Sequence, residues 1–231
     1  MHSAEKGTNV MTDGRIERNI EGNTEGNIER NIERNIERNT ERNTEEKAEE
    51  KTFGRTKDIV LIGVMAALIC VLSPISISLP ITPVPISLTI FAIYITEYVL
   101  GMKKGLISFC IYILLGIAGV PVFSGFQGGI AKVTGPTGGY ILGYLFICII
   151  TGYIIEKFGN NYVISALGMI VGTAICYTFG TLWLAYQAGL TFYEALFMGV
   201  VPFIPADIVK MIIALLVGPV LRNVLKSEDL I

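Results

Sequence analysis

Asp207 and Lys210 stand three residues apart in the segment PFIPADIVK at 202–210. Pro205 in the same segment suits the first turn of a helix, where its missing N–H costs nothing. A three-residue spacing then puts the acid and the base on one helix face, close to the positive end of the helix. A carboxylate only accepts hydrogen bonds and an ammonium only donates them. Together they match a ligand that presents N–H donors beside a carbonyl oxygen. The competing reading is a structural ion pair, because isolated charges in an apolar helix are costly unless they satisfy each other.

A second group of candidates lies in PVFSGFQGGIAKVTGPTGGY, residues 121–140. Gly125, Gly128, Gly129, Gly135, Gly138 and Gly139 permit positive φ and close backbone approach. Gln127 and Thr137 can hydrogen-bond, and Phe123, Phe126 and Tyr140 can wall the apolar part of a ligand. The stretch is not a P-loop, since GxxxxGK[ST] does not occur and no strand precedes it. Glu97 is a third candidate, an acid inside an apolar run and one turn from Lys103 and Lys104. An intramembrane acid is a functional candidate by default. Here, snorkelling to the interface or pairing there is the favoured reading.

Several chemistries are excluded. The chain's single histidine is His2, and Cys70, Cys110, Cys148 and Cys176 each sit alone in apolar runs. That leaves neither a metal cluster nor a Cys–His nucleophile pair in the body, and the cysteines read as small buried apolar residues. No basic patch with interleaved aromatics points to nucleic acid. An intramembrane enzyme built on Glu97 or Asp207 would lack a paired acid, a histidine or a metal.

The elements that must position these residues are apolar. Of 231 residues 52% are hydrophobic and only 16% charged, below the quarter or so usual for soluble domains. Most of the charge sits before Arg55, where residues 15–46 repeat a four-residue unit of the type NIER. A period of four drifts about 40° per unit around a helix, so Ile16, Ile20, Ile28, Ile32 and Ile36 make no lasting apolar face. Residues 1–54 therefore read as a polar, low-complexity tail that is disordered or a fluctuating helix. The tail has no apolar stretch of the kind a signal peptide needs.

From Ile59 onward six apolar runs follow, near 59–76, 86–101, 105–122, 140–155, 162–188 and 205–221. Backbone groups in lipid must be paired internally, so the runs read as transmembrane helices. Prolines 74, 80, 83 and 85 mark an extended connection after the first, and 189–204 a short amphipathic one after the fifth. Arg55, Lys57, Lys103, Lys104, Lys157, Arg222 and Lys226 all fall on one side of a six-span arrangement, and only Lys132 on the other. Basic residues mark the cytoplasmic side, which puts both termini there and the glycine-rich stretch outside. Gly63 with Ala67, and Ala66 with Cys70, are small residues four apart on the first run, suited to close helix approach within the chain or with a partner.

Three motifs carry a resemblance: GVPVFSGFQGG at 119–129, GPTGGYILGY at 135–144 and PFIPADIVK at 202–210. With PITPVPISLTIF at 80–91 and LGMKKG at 100–105, the sequence from about 55 to 225 resembles the BioY family. These are the biotin-specific S components of energy-coupling-factor (ECF) transporters. The resemblance implies an all-α, six-helix S-component fold in the cell membrane and biotin uptake without enzymatic chemistry. It implies that Asp207 and Lys210 meet the polar head of biotin. Phe123, Gln127, Gly128, Gly129, Gly135, Pro136, Thr137, Gly138, Gly139 and Tyr140 would form the rest of the pocket. The small residues of the first helix, Gly63, Ala66, Ala67 and Cys70, would face a transmembrane coupling protein. Two ABC-type ATPase subunits would use ATP, with no cofactor on this chain. A carrier for a different small metabolite is the rival reading.

Overall fold

The computed structural model describes residues 5–78, 80, 82–159, 161–228 and 230, with side chains from Arg30 onward except at 31, 32 and 50. It is almost wholly helical. Helix α1 runs Glu5–Leu72, and a two-residue ladder follows in which β1 (Ser76–Ile77) pairs antiparallel with β2 (Ile86–Ser87). Then come α2 (Thr89–Ile117), α3 (Ile130–Thr134), α4 (Gly138–Phe158), α5 (Tyr162–Ala188), α6 (Phe192–Gly199) and α7 (Ile204–Ser227). The chain divides into two compact units at Arg55. In the first, every side chain from 33 to 49 is exposed, including Ile36. His2 and the side chains of Ile16, Ile20, Ile28 and Ile32 lie outside the described residues.

In the second unit α4 packs against both α2 and α5, and α2 against α7. The interior is aromatic and hydroxyl-bearing: Tyr94, Tyr98, Tyr112, Phe109 and Phe123 are fully enclosed. Large apolar side chains point outward instead, among them Leu167, Ile170 and Val171 of α5 and Ile212, Leu216 and Val220 of α7. Four helices, α2, α4, α5 and α7, are long and apolar enough to cross a membrane. Apolar faces of this extent need lipid rather than water.

The chain turns within 100–105, the segment expected to separate the second and third runs. Helical structure continues from Thr89 to Ile117 with one non-helical residue, Gly101, at φ 72° and ψ −177°. That single residue turns the chain back on itself. Ser73 Oγ is 2.6 Å from both Thr89 Oγ1 and Tyr112 Oη. Residues 89 and 112 would be roughly 35 Å apart on a straight helix. The halves of α2 are therefore antiparallel. Glycine makes this possible, because only it enters that backbone region without a Cβ clash. Glu156 of α4 seals the turn by accepting from the Met102 N–H at 3.1 Å, while Lys104 pairs with Asp58 of α1 at 2.5 Å.

Glu97 does not snorkel. It is fully enclosed where the α2 halves meet α4, and neither carboxylate oxygen has a hydrogen-bond partner among the described residues. A Cβ at Gly105 or Gly152 would strike its carboxyl group. The reason is the hairpin: the last turn before Gly101 is covered by both the returning half and α4. The basic residues expected to receive Glu97 are turned away from it.

Candidate functional site

Pro205 occupies the first turn of α7, and Asp207 and Lys210 follow on one face, as their spacing requires. Both are buried, at 3% and 8% exposure, and Lys210 Nζ donates to Asp207 Oδ1 at 2.7 Å. The other carboxylate oxygen accepts from the hydroxyl of Tyr177 on α5. Asp207 is thus held from two helices, and each oxygen has a donor. The Tyr94 hydroxyl is 2.6 Å from Thr173 Oγ1. An apolar cavity of about 310 Å³ between α5 and α7 opens beside Thr173, Tyr177 and Asp207.

Residues of the glycine-rich stretch border two separate spaces. Gln127, Gly128, Gly135, Pro136 and Thr137 line a groove of about 560 Å³ with Pro83 and Lys132. Partial burial pushes the Lys132 ammonium below the usual lysine range. Ser87, Thr89, Tyr112, Ser124, Tyr140 and Tyr144 border a second, narrow space of only about 20 Å³. That is room for a single water, against roughly 300 Å³ or more for a small-molecule pocket. Thr137 borders both spaces. Tyr144 borders the smaller one.

Other residues of the stretch build the fold. Phe123 is fully buried, with its ring edge-on to Tyr112 at 5.5 Å between centroids and pressed on Gly116. Phe126 is exposed. A Cβ on Gly128 would meet the carbonyls of Val120 and Gly119, and Gly129 precedes α3 at φ 92° with its N–H bonded to Gly116 O at 2.7 Å. Gly138 and Gly139 let the start of α4 lie against Val133 and the Trp183 side chain. On α5, Trp183 Nε1 donates to Gly135 O at 2.9 Å and Gln187 Nε2 to Thr134 O at 2.8 Å, tying the loop down through its carbonyls. Ala66 is buried in the chain's own packing and Cys70 half-buried, whereas Gly63 and Ala67 lie on the exposed face of α1.

Sequence reasoning missed Tyr177, Tyr144, Trp183 and the hydroxyl cluster of Ser73, Ser87, Thr89 and Tyr112, in which Ser87 Oγ is 2.8 Å from Thr89 Oγ1. One signal was available, namely that hydroxyls in lipid-crossing helices need partners inside the bundle.

These features define a class, a helical membrane protein that encloses a buried polar pair. A family model described as the BioY family matches residues 41–227. The chain is 40% identical over 169 residues to a protein of Pyrococcus horikoshii named probable biotin transporter BioY, covering 73% of this chain and 98% of that one. It is 35% identical to the biotin transporter BioY of Thermotoga maritima, covering 70% and 94%. Among solved structures it matches the S-component for biotin from an ECF-type ABC transporter, with a TM-score of 0.68, 29% identity, and coverage of 73% and 92%. The chain belongs to the BioY family, whose members named here are transporters and not enzymes.

Proposed function

We propose that this chain is the substrate-binding component of an ECF transporter and captures biotin from outside the cell for delivery to the cytoplasm. The observation that carries this reading is the buried Asp207–Lys210 pair with the Tyr177 hydroxyl on its second oxygen. In biotin the ureido ring offers two N–H donors beside a carbonyl oxygen. The carboxylate suits the N–H groups and the ammonium suits the oxygen. Gln127, Gly128, Gly129, Gly135, Pro136, Thr137, Gly138, Gly139 and Tyr140 form the overlying wall, with Phe123 supporting it from below. The space of about 20 Å³ beside Tyr112, Tyr140 and Tyr144 is too small for biotin, so a ligand that reaches these tyrosines needs the surrounding segments to part.

The domain is six transmembrane segments within 55–231: the apolar end of α1, the two halves of α2, then α4, α5 and α7. The Gly101 hairpin supports this count, since it turns one long element into two passes. The halves are short for a full bilayer, so their ends are completed by backbone buried in protein. Both termini lie in the cytoplasm of a multi-pass cell-membrane protein, as the distribution of basic residues favours. Residues 1–54 form a polar, low-complexity tail. Gly63 and Ala67, with Ala66 and Cys70 beside them, meet a transmembrane coupling protein. Two ATPase subunits spend the ATP.

Equilibrium binding of radiolabelled biotin to the purified chain, with a panel of vitamins as competitors, tests the reading. Saturable binding that only biotin displaces is the expected result. Displacement by another vitamin instead would assign a different cargo, and no saturable biotin binding would refute the function.

A further inference from the structure

We propose that the cleft between the end of α4, the start of α5 and the end of α7 binds the phosphate group of an anionic membrane lipid. Lys157, Arg222 and Lys226 line this cleft of about 320 Å³ together with Glu156 and Asn161. Three cations from two helices thus face one acid. Glu156 is committed elsewhere, because its Oε2 accepts the Met102 N–H that seals the α2 hairpin. Arg222 Nη1 donates to Ile155 O at 2.9 Å, which fixes the guanidinium across the end of α4 and leaves its other N–H groups for an anion. Lys226 lies one turn further along the same face of α7.

Asn161 Oδ1 accepts from the N–H groups of Val163 and Ile164 at 3.1 and 3.2 Å, so its Nδ2 protons are the remaining donors there. The start of α5 adds the positive end of a 27-residue helix. Lys157 Nζ stands 5.5 Å from the Phe158 ring centroid and 5.9 Å from that of Tyr153, a cation held over aromatic faces.

A lipid is favoured over free phosphate by what surrounds the cleft. Exposed Tyr153 and Tyr162 are of the type that gathers at membrane interfaces. Val163, Val220 and Val224 are exposed on the adjoining helix faces, so acyl chains have an apolar surface to follow away from the cations. Basic pockets between membrane helices recognise phosphate headgroups through this combination.

The test is native mass spectrometry of the full chain in neutral detergent, with phosphatidylglycerol and phosphatidylcholine of matched acyl chains. Wild type is expected to retain phosphatidylglycerol preferentially. Each basic residue near the surface contributes about a factor of five, so K157Q/K226Q should lose the preference by roughly 25-fold. Arg222 is kept because its bond to Ile155 O joins α4 to α7. Unchanged biotin binding by the double variant will show that it is folded. Equal retention of both lipids by wild type, or an undiminished preference in the variant, overturns the proposal. Displacement of phosphatidylglycerol by millimolar inorganic phosphate overturns the lipid assignment in favour of a free-phosphate site.

Discussion

Replacing Lys210 by Met keeps the length of the side chain and deletes the charge that Asp207 faces. Lys210 Nζ and Asp207 Oδ1 are 2.7 Å apart, and the side chains are 10% and 5% exposed, so solvent screens little of their attraction. At an effective dielectric constant near 20 the gross attraction at that distance is about 6 kcal/mol. Desolvation consumes most of it. Removing one partner still leaves a buried carboxylate with only the Tyr177 hydroxyl, which costs about 3–5 kcal/mol of stability. If the pair also holds the ligand, affinity falls by about 2–5 kcal/mol, or roughly 30- to 4,000-fold in Kd. The double variant D207N/K210M separates the two effects. It removes both charges at nearly constant shape, so stability should return to within about 1 kcal/mol of wild type while biotin affinity stays low. Denaturation in detergent and equilibrium binding of radiolabelled biotin measure these on the same samples. Wild-type affinity in D207N/K210M would refute the site, and wild-type stability in Lys210→Met would refute the claim that the pair is desolvated.

Tyr177→Phe removes one donor to a charged group and should weaken biotin binding by about 1.5–3 kcal/mol without unfolding the protein, read by the same binding assay. Gly128→Ala puts a Cβ against the carbonyls of Val120 and Gly119, so amide exchange across 119–129 should rise and biotin affinity fall. Gly105→Ala drives a Cβ into the Glu97 carboxyl and costs about 1–3 kcal/mol. The same change in a Glu97→Ala background should cost clearly less, and additive melts would disprove the contact. In α6, Thr191 and Glu194 form a capping box, and the Thr191 hydroxyl and N–H hold the Glu194 carboxyl below its ordinary value of 4.5. The folded value is the lower one, so the stabilisation is full above 4.5 and is lost as pH falls through the folded value. Amide exchange at the start of α6 should accelerate over that acidic window, and Glu194→Gln should abolish the dependence.

How much was legible depended on whether a property was local. The boundaries of α5 at Tyr162 and Ala188, and the start of α7 around Pro205, follow from apolar length and from proline. Asp207 and Lys210 were readable as a pair because a spacing of three determines which helix face two residues share. The break between the second and third runs was readable at 100–105, but not that Gly101 alone makes the turn. Nothing in the text around Glu97 says that a returning helix and α4 will close over it.

The sequence by itself determined the class of the protein, the ion pair and the family, because hydropathy, helical spacing and motif order are properties of the chain read along its length. Only the tertiary structure decided that Tyr177 completes the Asp207 carboxylate across 30 residues, and that Ser73 joins both ends of α2. It alone divided the glycine-rich stretch between a groove, a narrow hydroxyl-lined space and simple helix packing. The physical reason is common to all three. A buried polar atom must find its partner wherever packing brings one, and which helices pack is settled by side-chain shape and the fit of glycine against neighbouring backbone, not by position along the chain.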